Sequence, residues 1–505
     1  MSELSVADVD RANISPPIFP FDNTYARLPE RFYARQTPTP VAAPRLIRVN
    51  DALARQLGID PARLASAQGV AALAGNRVPR GAEPIAMAYA GHQFGNWVPQ
   101  LGDGRAVLLG EVVARDGIRY DIQLKGSGPT PFSRNGDGRA ALGPVLREYI
   151  VSEAMAALGI PTTRTLAAVT TGERIARQEG MLPGAVLTRV SKSHVRVGTF
   201  EYFGNRGDTE AVRALADYVL ARLYPDVAAG DYRALLDAVI ARTAALVARW
   251  QHIGFIHGVM NTDNTSIAGE TIDYGPCAFL DAYDPAKVFS SIDQGGRYAF
   301  GNQPRIAHWN LVRFAQALLP LLGADEDAAI TTAQAAINDY PARFEAAYFE
   351  GLRAKFGFTQ AFDDDLPLIG EFLRHMADGR ADFTLTFRRL SDSAGDAAAV
   401  ESLRALFDNA AALDVWLDKW RARLALERVA PAERAAVMRR VNPVFIPRNH
   451  RVEAAIAAAQ ERDDFAPFAE LLTVLSKPYD DQPQFAAYAD APKPDELVLQ
   501  TFCGT

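Results

Sequence analysis

Near residue 210 the chain changes character, and that change limits the folds open to it. Before it lie short runs rich in β-branched and aromatic residues. Residues 106–113 and 118–124 read as strands joined through Arg115-Asp116-Gly117, a hairpin signal, and 166–169 and 186–190 read as further strands. One helical pattern interrupts them. It opens at Gly143-Pro144, carries an apolar stripe of Leu146, Ile150, Ala154, Met155 and Leu158, and stops at Gly159 and Pro161. Beyond residue 210 the chain is Ala-rich with helical spacing: 209–223, 232–253, 309–322, 325–340, 341–356 and 414–427. The split at 341 follows from Pro341, which ends or kinks a helix. A β-rich part with a single helix, followed by a mainly helical part, predicts an α+β fold.

Composition narrows the function. Apolar residues make up 49% and charged residues 22% of the 505, enough to bury a large core. The net charge of −7 argues against a protein built to coat nucleic acid. No apolar run is long enough for a membrane helix, and Met1 to Asp22 is acidic and proline-containing, unlike a secretory or transit leader. The expectation is a cytoplasmic protein with no membrane or nucleic-acid partner. Two cysteines, Cys277 and Cys503, are too few for a structural zinc site, and the seven histidines show no ligand spacing. Only seven of the 53 basic residues are lysines, so a lysine at a strand end marks a place for a compact ammonium.

That lysine is Lys125. In 120–125, Tyr120, Ile122 and Leu124 share one face and Asp121, Gln123 and Lys125 the other, which points Lys125 away from the apolar side. Upstream, Gly102-Asp103-Gly104-Arg105 leads into a strand. Glycines there let a backbone approach a phosphate, although Gly-Asp-Gly is also an ordinary turn. Downstream, Glu148 lies in the predicted helix, either solvated or holding Lys125. Glycine loop, strand lysine, helix glutamate is the order of the protein-kinase nucleotide site. Residues 257–264, His-Gly-Val-Met-Asn-Thr-Asp-Asn, lie over the kinase catalytic loop, with His257 and Asn264 at its ends and Val259 where the proton-accepting aspartate stands. Nine residues on, Asp273-Tyr274-Gly275 takes the place of the metal-binding Asp-Phe-Gly. Asn264 and Asp273 are hard oxygen ligands suited to Mg2+ or Mn2+. Asp263 is the replacement base or a turn residue. Arg189, Lys192, His194 and Arg196 form a basic cluster fit for polyphosphate or for loop ion pairs.

Together these predict a protein-kinase-like two-lobed fold with extensions at both ends. The expected division is an arm or cap over 1–83, a β-rich lobe with one key helix over 84–200, a helical lobe with the catalytic and metal loops over 201–400, and a helical extension with a redox tail over 401–505.

Longer stretches carry a family resemblance. They are Ala90 to Gly95, Gln100 to Arg105, Gln123 to Gly128, Arg147 to Ile150, His257 to Asn264, Ile272 to Pro276 and Asn442 to His450. From about Asn23 onward the chain resembles the selenoprotein O family of kinase-like protein adenylyltransferases. The resemblance implies a nucleotide lying flipped relative to kinases, so that AMP passes from ATP to Ser, Thr or Tyr hydroxyls of other proteins and pyrophosphate leaves. It implies that Gly102, Gly104, Arg105, Lys125, Asp137, Gly138, Arg189 and Arg196 contact ATP, that Glu148 pairs Lys125, that Asp263 accepts the proton, and that Asn264 and Asp273 hold the metal. Some members carry selenocysteine near the C-terminus, where this chain has Cys503. A Cys277–Cys503 disulfide coupling the tail to the metal loop is the corresponding expectation. Two other readings stand beside this one: a conventional γ-phosphotransferase, disfavoured by Val259, and a non-catalytic pseudokinase scaffold, disfavoured by the retention of Lys125, Glu148, Asn264 and Asp273.

Overall fold

The computed structural model describes residues 17–178 and 180–502. Its strands are β1 (Tyr33–Arg35), β2 (Arg45–Val49), β3 (Ile85–Met87), β4 (Gly91–Gln93), β5 (Asn96–Val98), β6 (Ala106–Val113), β7 (Arg119–Lys125), β8 (Ala140–Ala141), β9 (Arg164–Arg177), β10 (Gly180–Ser191), β11 (Phe255–Ile256) and β12 (Ala278–Phe279). The main sheet is antiparallel in the order β1-β3-β6-β7-β10-β9-β2, with β8 pairing β10. β4–β5 forms a separate hairpin and β11–β12 a second small pair. The run at 106–113 is β6 residue for residue, and β7 sits one residue later than the predicted 118–124. β9 and β10 extend well past 166–169 and 186–190. The outer half of β9 is only half covered, so polar residues alternate there, and a register shift at Pro183/Ala185 breaks the pattern in β10.

The helices are α1 (Asp51–Gln56), α2 (Pro61–Ala65), α3 (Ala67–Leu73), α4 (Leu142–Ala157), α5 (Val197–Gly204), α6 (Thr209–Leu223), α7 (Tyr232–His252), α8 (Gln303–Leu322), α9 (Glu326–Asn338), α10 (Tyr340–Phe356), α11 (Asp365–Asp378), α12 (Phe383–Gly395), α13 (Val400–Arg404), α14 (Ala410–Leu424), α15 (Pro431–Arg439), α16 (Asn449–Arg462) and α17 (Ala466–Leu475). The fold is α+β. α8 begins six residues before the predicted 309 because Pro304, which reads as a breaker, sits in the first turn, where its missing N–H costs no bond. Among the described residues no helix is long and apolar enough to cross a membrane.

Two layers of helix cover the sheet. On one face Leu53, Leu64 and Leu73 from α1–α3, with Leu57 just after α1, pack on Ile122, Leu124, Val186 and Val190. On the other, α4 lies between the sheet and the C-terminal pair α16–α17, so that Leu146 and Ile150 meet Leu187 on one side and Val452, Ile456, Leu471 and Leu475 on the other. A helix enclosed on both sides is apolar nearly all round. This settles the choice left open for Glu148, which is 2% exposed rather than solvated. The predicted stripe Leu146, Ile150, Ala154, Met155 and Leu158 is buried, as expected.

The C-terminal third braces the centre of the molecule. Asn449 accepts from the Phe279 N–H at 3.1 Å and donates to the Phe279 carbonyl at 2.8 Å, while Arg448, 1% exposed, bonds Asp281 at 2.9 Å and Asp382 at 2.7 Å. The matching stretch 442–450 thereby fixes the chain that leaves the Asp273 turn. A second core, around Phe356, Phe372, Phe387, Trp416 and Trp420, lies beyond it.

Lys355 is buried in that second core. Its ammonium donates to Asn442 Oδ1 at 2.8 Å and stands 4.0 Å from the Phe387 ring centroid, and burial pushes its pKa down to about 7. The unfolded chain holds the same proton to about pH 10.4. Between these values the unfolded state binds more protons, so folding stability rises with pH. Relative to Lys355→Met, the native protein should gain roughly 1–2 kcal/mol between pH 7.5 and 9.5 in urea titrations. Parallel stability curves would rule this out.

Candidate active site

The predicted residues converge on a cleft of about 710 Å³ between the main sheet and the helical part. Lys125, at the end of β7, is lined up beside Leu187 of β10, and its ammonium reaches Glu148 Oε2 of α4 at 2.6 Å and Asp273 Oδ1 at 3.4 Å. From β10, Arg189 Nε donates to Glu148 Oε1 at 2.7 Å and its Nη2 to Asp273 Oδ1 at 2.6 Å. Arg196, just before α5, donates to Asp273 Oδ2 at 2.9 Å and to the Asp263 carbonyl at 2.8 Å. Its guanidinium lies 4.6 Å from the Tyr89 ring centroid. Three cations therefore meet on one carboxylate.

Charge sets the protonation states. Burial alone would raise the Asp273 carboxyl, but Arg189, Arg196 and Lys125 outweigh it and hold it well below the usual carboxylate range. Burial also works against ionised Glu148, and Arg189 and Lys125 again prevail, lowering it. Burial lowers Lys125, with Glu148 opposing. Asp273 is at φ +61°, a left-handed conformation that costs a non-glycine residue energy and that the surrounding ion pairs sustain.

The polar face of β7 is buried too. Gln123 bonds Asp103 at 3.2 Å and Arg189 at 3.4 Å. Asp121 bonds His194 at 2.9 Å and Arg222 at 2.5 Å. His194 thus serves the sheet, and neither it nor Lys192 lines the cleft. Of the basic cluster, Arg189 and Arg196 reach it.

The 257–264 segment carries the facing wall. His257 is structural: its Nε2 bonds the Ile272 carbonyl at 2.9 Å, tying this loop to the Asp273 turn. Val259 lines the cleft. Asp263 lies beside Arg196, and burial pushes its carboxyl up to about 6, with Arg196 opposing. Gln93 Nε2 donates to Asp263 Oδ2 at 3.3 Å, whereas the buried Oδ1 has no partner. Gly91 makes room for that carboxylate, since a Cβ there would stand 2.6 Å from Oδ1. Asn264 donates its amide to the Val259 carbonyl at 3.1 Å, which leaves its Oδ1 as acceptor.

The glycines have a packing reason. Gly102, at φ +83°, faces the Phe132 ring, where a Cβ would come within 2.3 Å of the ring carbon. Gly104, Arg105, Asp137 and Gly138 all line the cleft, and Asp137 is held by Arg177 from the end of β9 at 2.8 and 3.1 Å. Burial opposes the ionised Asp137, and the Arg177 bonds outweigh it, lowering the pKa.

Among the described residues no group of three or more His, Cys, Asp or Glu side chains forms a metal cage. The oxygen pair of Asn264 and Asp273 does suit an ion that keeps waters and takes its remaining ligands from phosphate, as Mg2+ does. Cys277 is a buried free thiol whose pKa burial pushes up to about 12. Its expected partner, Cys503, lies outside the described residues.

Sequence reasoning gave no role to Gln93, Asn261, Tyr89 or Arg177. Asn261 Oδ1 accepts from the Phe94 N–H at 3.0 Å and the Tyr298 hydroxyl at 2.6 Å, which pins the β4–β5 hairpin to the loop. The stretch Ala90 to Gly95 is the one signal in the sequence for this hairpin. Arg177 lies 40 residues from its partner, and only the sheet shows the pairing.

A model of the protein adenylyltransferase SelO family matches residues 19–476. The chain is 67% identical over 491 residues to a protein nucleotidyltransferase YdiU of Bradyrhizobium sp. (strain BTAi1), covering 96% of this chain and 99% of that protein. It is 66% identical over 489 residues to a YdiU of Rhodopseudomonas palustris (strain BisB5), covering 96% and 99%. Against one of Methylorubrum extorquens it is 65% identical over 496 residues, covering 97% and 99%.

Removing the Asp273 charge leaves three cations without their shared carboxylate. Ligand-free Asp273→Asn should be destabilised by roughly 3 kcal/mol, and ATP added without metal should raise its melting midpoint more than it raises that of the native protein. Equal midpoints in the ligand-free proteins would contradict this.

Proposed function

The chain belongs to the protein adenylyltransferase SelO family and is a protein adenylyltransferase, and we propose that its cleft grips ATP by exchanging Asp273 for the triphosphate. The observation that carries this is the convergence of Lys125, Arg189 and Arg196 on one carboxylate at 2.6–3.4 Å. An aspartate held by an ammonium and two guanidiniums occupies the electrostatic place of a phosphate. The fold reading that accompanies it is kinase-like and two-lobed, with 84–200 as the β-rich lobe, 201–400 as the helical lobe, 1–83 as arm and 401–505 as extension. The strand-lysine and helix-glutamate pair and the position of residues 257–264 support it.

In this reading Lys125, positioned by Glu148, and Arg189 and Arg196 neutralise the phosphates. Gly102, Gly104, Arg105, Asp137 and Gly138 contact the nucleotide along the cleft wall. The α-phosphorus faces Asp263. A Ser, Thr or Tyr hydroxyl of a target protein enters beside Asp263, whose carboxylate takes its proton. The hydroxyl oxygen bonds to the α-phosphorus as the bond to the bridging oxygen breaks, and pyrophosphate leaves with the electron pair. Asn264 and Asp273 would hold the divalent cation, Mg2+ or Mn2+, which when bound supplies further charge neutralisation at the phosphates. Such chemistry depends on positioning more than on a strong base, so Val259 does not disable the site. The acidic whole chain and its protein acceptors fit a cytoplasmic enzyme with no nucleic-acid partner.

ATP labelled on either phosphorus tests the orientation. The α label should pass to acceptor protein and the γ label should leave in pyrophosphate. Asp263→Asn should lower kcat by ~10²-fold or more with ATP affinity retained, and chelation of divalent ions should abolish transfer. Stable transfer of the γ label, or an unchanged Asp263→Asn, would refute the assignment.

A further inference from the structure

The hairpin that supplies Gln93 to Asp263 has a second side. There the His92 ring lies 5.0 Å from the Trp97 ring and 5.3 Å from Trp309 of α8, with its Nδ1 bonded to Glu201 Oε1 at 2.6 Å. Two guanidiniums stand over the same indole: Arg297 at 4.9 Å and Arg313 at 4.7 Å from the Trp309 ring. Arg297 also abuts the hairpin turn, since a Cβ on Gly95 would lie 3.5 Å from its Cζ. All four side chains, Trp97, Trp309, Arg297 and Arg313, are half-buried and reach the surface.

These arginines are held by aromatic faces, not by acids. Among the described residues neither forms an ion pair with a carboxylate. The acids close by are already committed. Asp293 accepts from the Arg297 and Tyr298 backbone amides at 2.9 and 2.7 Å. Glu201, which feels Arg313 through its charge, is taken by His92 and by the Thr262 hydroxyl. Stacking on indole orients a guanidinium fork while leaving its donors for a carboxylate to take in bidentate fashion.

We propose that this face receives an acidic segment of the acceptor protein, next to the hydroxyl that is modified. The inference rests on the reading that the acceptor enters beside Asp263. The geometry supplies the spacing. Gln93 and Phe94 line the cleft, and Gly95, against Arg297, follows Gln93 by two residues, a span of at most about 7 Å. An extended acceptor therefore places an Asp or Glu on the arginines two to four positions from its hydroxyl, while its apolar side chains lie on Trp97 and Trp309. The overall charge of −7 would repel such a segment elsewhere, so this pair supplies local steering as well as contact.

The test uses synthetic peptides with one Tyr or Thr and Glu, Gln or Lys at positions two to four on either side. With the native enzyme the Glu peptide should show a KM on the order of tenfold below the Gln peptide. Arg297→Gln/Arg313→Gln should erase that gap while keeping kcat and ATP affinity, and Arg297→Glu/Arg313→Glu should favour the Lys peptide. Binding of the same labelled peptides, followed by polarisation with a non-hydrolysable ATP analogue, is read in parallel. Peptides that bind with the Glu preference yet accept no AMP would count against the Asp263 reading and leave the docking face standing. Equal KM and equal binding for the Glu and Gln peptides, or a gap that survives in the double Gln variant, would overturn the inference.

Discussion

One carboxylate with three cations on it organises this molecule. Asp273 draws Lys125 from β7, Arg189 from β10 and Arg196 from the approach to α5, so a single turn joins the sheet to the helical part. Burying charges is costly, and a network of this kind persists only where each member finds a partner. Glu148 supplies the second anion, and α4 can carry it inside because helices and sheet enclose both of its faces. The supporting parts answer to the same turn. His257 ties the 257–264 loop to Ile272, and Asn449 and Arg448 clamp Phe279 and Asp281 just beyond it. The C-terminal third, which shows little chemistry in its sequence, thus sets where the Asp273 turn can sit.

The arrangement also explains how an acidic protein makes a locally cationic cleft. Lys125, Arg189, Arg196, Arg105, Arg134, Arg139 and Arg177 line the cleft against Asp103, Asp137, Asp263 and Asp273, a local cationic surplus inside a chain of net charge −7. Overall charge says little about one cleft.

What the sequence disclosed divides along the range of the interactions. Local signals were legible: β6, β7, α4 and α6 lie within a residue or two of the patterns that announce them, because turn residues and side-chain periodicity act over a few positions. The short ordered motifs also pointed to residues that the fold brings together: Lys125 pairs with Glu148, and Asp263, Asn264 and Asp273 line the same cleft. The burial of Glu148 was not legible, since it depends on Lys125 and Arg189 reaching it from two strands of the folded sheet. Arg177 on Asp137 and Gln93 on Asp263 are likewise pairings that only the folded sheet and hairpin create. Gly102 and Gly104 were read for phosphate approach. Both are demanded first by Phe132, so their presence alone does not argue for a ligand.

The proposed reading makes a valine at 259 intelligible. A carboxylate at 259 would enter a cleft whose cations already serve Glu148 and Asp273, and it would compete for them. Asp263 depends less on those cations: Arg196 lies beside it but hydrogen-bonds its carbonyl, and its carboxylate receives the neutral Gln93 amide. On the proposed reading the loop separates two tasks, with phosphate neutralised on the sheet side and a proton received on the hairpin side. The separation works because the hairpin is pinned from behind, by Asn261 on Phe94 and by His92 and Thr262 on Glu201. On that reading the physical demand on residues 257–264 is a division of charge between two walls, which an acid at 263 rather than at 259 meets.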